Sequence, residues 1–332
     1  MTGLDDLLPV IFMSILGLAM LVYVVLDGYD LGVGLLMPGA TEEQKDIMIA
    51  SIGPFWDANE TWLVLGVGVL LIAFPKAHGM ILGALYLPVV LMLVGLILRG
   101  VAFDFRVKAH ASHRSRWNQV FTAGSAIASV AQGWMLGRYV TGLRAGWPYE
   151  LFAAAISVAL PAAYLLLGAG WLILKTSGPL QILMVDRAKR AWPAVLLGIG
   201  LISAATPLVS PLVRSRWFQM PDFIALLPIP LVTVIALFTM RGLLNSHRVR
   251  GRLSWAPFGL MVIVLVLGFF GLAYSIYPFV VIDRLTIWQA ASSPAALKII
   301  LTGVCVALPA IIAYTVLAYR VFRGKATTLR YA

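Results

Sequence analysis

The sequence predicts an all-α, polytopic membrane protein of about nine transmembrane helices, and three observations carry that expectation. Hydrophobic residues make up 61% of the 332-residue chain and charged residues only 12%, a membrane composition rather than that of soluble domains. Apolar runs of about 20 residues, the length that crosses a bilayer's hydrocarbon core, recur from end to end and leave almost no room for a soluble domain. The basic residues, which give a net charge of +11, sit in short clusters between those runs, where membrane topology rather than nucleic-acid binding places them. Residues 1–332 are therefore expected to form a single integral membrane domain.

The first run, near Leu7 to Leu26, follows a start with Asp5 and Asp6 and no basic residue. It lacks the positive n-region of a cleavable signal peptide and is expected to be retained. The second must begin near Phe55 to reach spanning length and extends to Phe74, and the third is expected near Met80 to Ala102. Further runs lie near Val120 to Tyr139, Leu151 to Leu174 and Pro193 to Val213. The last three are expected near Phe223 to Met240, Trp255 to Val281 and Ala295 to Tyr319. With the N-terminus outside, the inside segments hold Lys45; Arg106, Lys108, Arg114 and Arg116; Lys175, Arg187, Lys189 and Arg190; Arg241, Arg248, Arg250 and Arg252; and Arg320, Arg323, Lys325 and Arg330. The outside segments hold only Lys76, Arg138, Arg144, Arg214, Arg216, Arg284 and Lys298. That asymmetry predicts the N-terminus outside and the C-terminus inside, in the cytoplasm. No short-period repeat is visible, and the helices bearing proline and glycine show no inverted pairing of the kind many transporters carry.

Ionisable side chains at membrane depth cost a few kcal/mol or more each and are functional candidates by default. Asp27 and Asp30 sit at i, i+3 on one helix face, where the first helix is expected to reach the inside surface. The expected start of the second helix draws Trp56, Asp57, Asn59 and Glu60 to the membrane's inner edge, with Asp57 and Glu60 again at i, i+3. Arg99 follows a long uncharged run, with Asp104 five residues further on. These charges are expected together at the inner ends of the first three helices. Carboxylates near a helix N-terminus are also favoured by the macrodipole alone, so Asp57 and Glu60 admit a purely structural reading. Arg99 is equally readable as a counter-ion, and Asp104 as a partner of Lys108 at i, i+4.

A haem held by this chain would need axial ligands, most often histidine, well inside helices. His110, His113 and His247 fall in basic inside segments and His78 just after Pro75, so this chain is expected to bind no haem and no metal. Cys305, the only cysteine, is expected to be a small buried hydrophobe. No P-loop, nucleophile elbow, HExxH or Rossmann glycine pattern is present.

Four blocks of residues together resemble one family, subunit II of cytochrome bd ubiquinol oxidases, including the shorter cyanide-insensitive type. They are DGYDLGVG at Asp27 to Gly34, SIGPFWDANETWL at Ser51 to Leu63, LRGVAFDFR at Leu98 to Arg106 and YPFVVIDRLTIWQAASS at Tyr277 to Ser293. The resemblance implies two four-helix bundles plus a peripheral helix in a bacterial or archaeal inner membrane. It implies a heterodimer with a subunit I that holds two b-type haems, haem d and the quinol site, and it leaves small accessory single-helix subunits, lipid and quinone as further partners. The complex would oxidise quinol and reduce O2 to water without pumping, taking its chemical protons from the inside. The family position matching Asp57 lies on the proposed proton route to haem d, with the positions of Trp56 and Arg99 nearby. Asp27, Asp30 and Glu60 are added to that route from their placement. The alternatives are a secondary transporter with a site formed by Asp27, Asp57 and Arg99, or a purely structural membrane subunit.

Overall fold

The protein is described by a computed structural model covering residues 3–108 and 110–326. In chain order its helices are α1 (Gly3–Leu36), α2 (Glu42–Ile52), α3 (Trp56–Ala73), α4 (Pro75–Ala84) and α5 (Tyr86–Lys108). Next come α6 (Ala111–Val140), α7 (Trp147–Lys175), α8 (Gly178–Val209), α9 (Pro211–Phe218) and α10 (Asp222–Leu226). The last are α11 (Pro228–Leu244), α12 (Ala256–Ile276), α13 (Ile287–Ala290) and α14 (Pro294–Val321), with a two-stranded hairpin, β1 (Phe279–Val281) and β2 (Leu285–Thr286), before α13. Among the described residues eight spans, α10 and α11 counting as one, are long and apolar enough to cross a membrane. The ninth expected helix is α6, with 30 residues; Asn118, Thr122, Ser125, Ser129 and Gln132 on it lower its hydropathy.

Helices α1, α3, α5 and α6 pack as one group and α7, α8, α11 and α12 as another, joined where α1 and α6 meet α7. Helix α14 lies at the periphery against α3 and α1, burying only Leu297, Val304 and Ala318. Its contact with α3 is fixed by Trp62 Nε1, which donates to Thr315 Oγ1 at 3.3 Å.

Several boundaries differ from expectation for identifiable reasons. Helix α1 continues ten residues past Leu26, because its glycine-rich end packs directly on α7. A β-carbon on Gly32 would stand 1.9 Å from the Tyr164 carbonyl oxygen, and one on Gly168 would meet the Gly32 backbone at 2.6 Å. Two helices approach this closely only where side chains are absent. The expected third run is divided at Leu85 into α4 and α5, since the Pro88 ring cannot sit behind the carbonyl of Ala84 in a continuous helix. Helix α8 begins 15 residues before Pro193, because the basic segment is helical too: the Arg187 guanidinium donates to the carbonyls of Leu36 and Pro38 and closes the end of α1. The run expected to reach Val281 ends at Ile276, ahead of Pro278. The hairpin that follows, with Asp283 at φ +60° in its turn, was not expected. Cys305 is exposed rather than buried, because α14 has so few helices against it.

Cross-element contacts sort the helix ends into two sets. At one end Lys175 donates to Phe322 O at 2.6 Å and Arg241 to Lys189 O at 3.0 Å, beside the Arg187 contacts. There α2 is tied to α5 and α6. Arg106 is 2.8 Å from Asp46, its Nε donates to Asn118 Oδ1 at 2.5 Å, and Asn118 donates to Glu42 at 2.8 Å. At the other end Trp288 donates to Asp6 O at 3.0 Å, Lys298 pairs with Asp5 at 2.7 Å and Arg144 with Asp283 at 2.5 Å. The residues assigned to the inside thus lie at one end, called here the basic end; Arg330 lies outside the described residues.

Candidate functional site

The first three spanning helices each deliver charge to one buried place. Asp27 and Arg99 both lie nine residues before their helix ends at Leu36 and Lys108, which is roughly 14 Å from the basic end at about 1.5 Å per residue. They are therefore well inside the helices, not at the surface where Asp27 and Asp30 were expected. Asp27 and Asp30 are 0% exposed and Arg99 1%. Helix α3 has only 18 residues and starts deeper, so Glu60, one turn from its N-terminus, reaches the same level.

Arg99 Nη2 stands 2.6 Å from Asp27 Oδ1 and also donates to Glu60. Asp30 is held by Asn59, whose Nδ2 donates to its Oδ2 at 2.8 Å. The same amide lies 2.9 Å from the Tyr29 hydroxyl, and Tyr319 of α14 donates to Asn59 Oδ1 at 3.1 Å. Tyr29 and Tyr319 are hydrogen-bonded to each other. Deeper along α1, Gln132 donates to Tyr23 at 2.8 Å and accepts from Tyr164 at 2.7 Å. Among the described residues, Asp30 Oδ1 and the Nε and Nη1 of Arg99 are buried without a hydrogen bond.

Four of the six charged residues singled out from the sequence thus converge: Asp27, Asp30, Glu60 and Arg99. Asp57 does not join them. It is exposed in the first turn of α3, one turn nearer the basic end than Glu60. Trp56 is half-buried, its ring 5.1 Å from that of Phe103, and it covers Arg99 from the side together with Ile52 and Phe121. Asp104 is exposed on α5. Asn59 was noted only as a neighbour of Asp57 and Glu60, although its motif carried the signal. Tyr319 and Gln132 lie far along the chain with nothing local to mark them.

The histidines lie at or near helix ends: His110 caps α6, His113 follows in its first turn, His247 opens a single 3₁₀ turn and His78 is in α4. Among the described residues no group of three or more histidine, cysteine or acidic side chains could hold a metal ion.

Comparison with known proteins agrees with this architecture. Residues 8–322 match the family described as cytochrome bd terminal oxidase subunit II. The chain is 28% identical to cytochrome bd ubiquinol oxidase subunit 2 of Bacillus subtilis (strain 168), over 90% of this chain and 91% of that one. It is 26% identical to cytochrome bd-I ubiquinol oxidase subunit 2 of Escherichia coli (strain K12), over 97% and 96% respectively. Among solved structures it aligns with the bd oxidase from Geobacillus thermodenitrificans at a TM-score of 0.72 and 20% identity, over 95% of this chain and 98% of that one. At that identity the likeness concerns the fold alone.

Proposed function

The chain belongs to the cytochrome bd terminal oxidase subunit II family, and from that premise we propose that it serves as the haem-free subunit of a quinol-oxidising, O2-reducing complex of the bacterial or archaeal inner membrane. Its partner is a subunit I that carries two b-type haems and haem d, where quinol is oxidised and O2 reduced to water. The basic end faces the cytoplasm, in keeping with the positive-inside rule. The secondary-transporter alternative gives way to the family membership.

Within that complex this chain supports the haem-bearing subunit and conducts protons from the cytoplasm toward haem d. The single observation that carries this reading is the cluster at Arg99, whose guanidinium pairs with the buried Asp27 and the part-buried Glu60 beside the buried Asp30. Buried ion pairs are poor stabilisers on their own account, and intramembrane charges are kept for function. Carboxylates set side by side along this path give a proton successive acceptors between which it can pass by small side-chain rotations. Asp57, exposed one turn nearer the basic end, is the entrance, and Glu60 is the next group inward. Trp56 shields Arg99, and Asn59 orients Asp30. Protons consumed from one side and released by quinol on the other make the reaction electrogenic without pumping.

The test uses the assembled complex. Asp57→Asn and Asp27→Asn are expected to leave subunit assembly and the reduced-minus-oxidised haem spectrum unchanged and to slow O2 consumption by about ten-fold or more, the loss expected when a proton-transfer group is removed. Unchanged turnover in both variants would assign the cluster a structural role alone.

A further inference from the structure

A second polar site, adjoining the carboxylate cluster through Tyr319, opens at the basic end between the C-terminus of α7, the start of α12 and the end of α14. It is a cavity of about 340 Å³ lined by Trp171, Lys175, Ser254, Tyr319, Arg323 and Lys325 among others, with no acidic side chain in its wall. None of the three cations forms an ion pair among the described residues.

We propose that this cavity binds a phosphate-bearing anion, the headgroup of an anionic phospholipid in the leaflet at the basic end. Three like charges gathered around one space repel each other and are stabilised by an anion between them. Two of them are fixed in place. Lys175, only 7% exposed, lies between the Phe55 and Trp171 rings, 5.1 Å from each centroid, and donates to Phe322 O at 2.6 Å. Lys325 donates to Leu174 O at 2.7 Å and Thr176 O at 2.8 Å, and Ala326 N donates to Lys175 O at 2.7 Å, so the segment after α14 is strapped across the end of α7. An ammonium has three donors, so both lysines keep capacity for a ligand after these bonds. Arg323 adds a planar fork suited to phosphate oxygens.

The wall also argues for lipid over a soluble phosphate. Trp171, Leu174 and Tyr319 line it beside the cations, so apolar and aromatic surface adjoins the charge. Basic pockets between transmembrane helices are where anionic headgroups bind, and the volume suits a headgroup with the root of its chains.

The proposal is tested by native mass spectrometry of the intact, delipidated complex titrated with dioleoyl phosphatidylglycerol, dioleoyl phosphatidylcholine or inorganic phosphate. The wild type is expected to retain one more phosphatidylglycerol than Arg323→Gln, with at least ten-fold weaker retention in Arg323→Gln and in the double variant Arg323→Gln, Lys325→Gln. Arg323→Gln is the control against misfolding, since among the described residues Arg323 donates to no helix end. Retention of phosphatidylglycerol that resists millimolar inorganic phosphate supports the lipid as ligand. Displacement by inorganic phosphate supports the anion site with a soluble source. Equal retention of phosphatidylglycerol by wild type and variants, or equal binding of the zwitterionic lipid, overturns it.

Discussion

At the level of single residues, the carboxylate cluster is unevenly balanced, and its variants should separate stability from turnover. Arg99→Leu strands Asp27 as a buried charge without its partner and takes the same partner from the part-buried Glu60. Breaking a buried pair from one side costs about 3–5 kcal/mol, so the purified complex should lose thermal stability and yield. Asp27→Asn removes one charge from the side in excess and keeps the volume, so its melting temperature should stay close to wild type while O2 consumption falls. Equal melting temperatures for wild type and Arg99→Leu would show that the ion pair does not hold these helices. Tyr319→Phe takes a hydroxyl donor from Asn59 Oδ1, and an unmet buried acceptor costs about 1–3 kcal/mol. A destabilisation measured by denaturation of the complex is expected, with the cluster's charges intact. Asp27, Asp30, Glu60 and Arg99 were legible in the sequence because charge at membrane depth is rare enough to be informative. Tyr319 and Gln132 were not, because an aromatic near a helix end and a polar side chain on an otherwise mixed helix each have ordinary explanations, and only packing brings them to Asn59 and Tyr164.

At the level of elements, the same limit explains the helix boundaries. Hydropathy found the eight described spans that are long and apolar enough to cross a membrane, but it stopped α1 at its first carboxylate, because the partner that makes residues 27–36 a buried helix is α7, more than a hundred residues later. Gly32→Val makes the dependence measurable. A β-carbon there would stand 1.9 Å from the Tyr164 carbonyl oxygen, so α1 must move off α7, and recovery of assembled complex should collapse; normal recovery would mean the two helices separate without consequence. Helix α2, exposed over its first turn and buried from Met48 to Ile52, is anchored differently. A hydrogen bond from Lys45, aided by one from Asn118, holds the Glu42 carboxyl below its usual value of 4.5. A carboxyl held low in the folded state stabilises it above that usual value, and the contribution is lost as pH falls through the folded value. Acidification below about 4.5 should therefore loosen α2 from α6, read as faster amide exchange over residues 42–52. Glu42→Gln should already exchange faster at neutral pH and respond less to acid.

At the level of the whole molecule, the direction of proton entry depends on which way the long helices face. The contacts that join helix ends sort the chain into a basic end and an opposite end, and the segments at the basic end hold most of the Lys and Arg. Basic residues in short loops are retained on the cytoplasmic side during insertion, so the end that holds Asp57, Lys175 and Arg323 should face the cytoplasm. A green fluorescent protein joined after residue 332 should then fluoresce in intact cells, because it folds in the cytoplasm. Alkaline phosphatase inserted at Gly146, in the connection between α6 and α7, should be active, because it matures only on the far side. The reverse pattern would put the exposed carboxylate of Asp57 on the outer surface, where protons are released rather than taken up. The relay reading would then fail even if Asp57→Asn slowed the enzyme, since a route that begins there would carry protons from the wrong compartment.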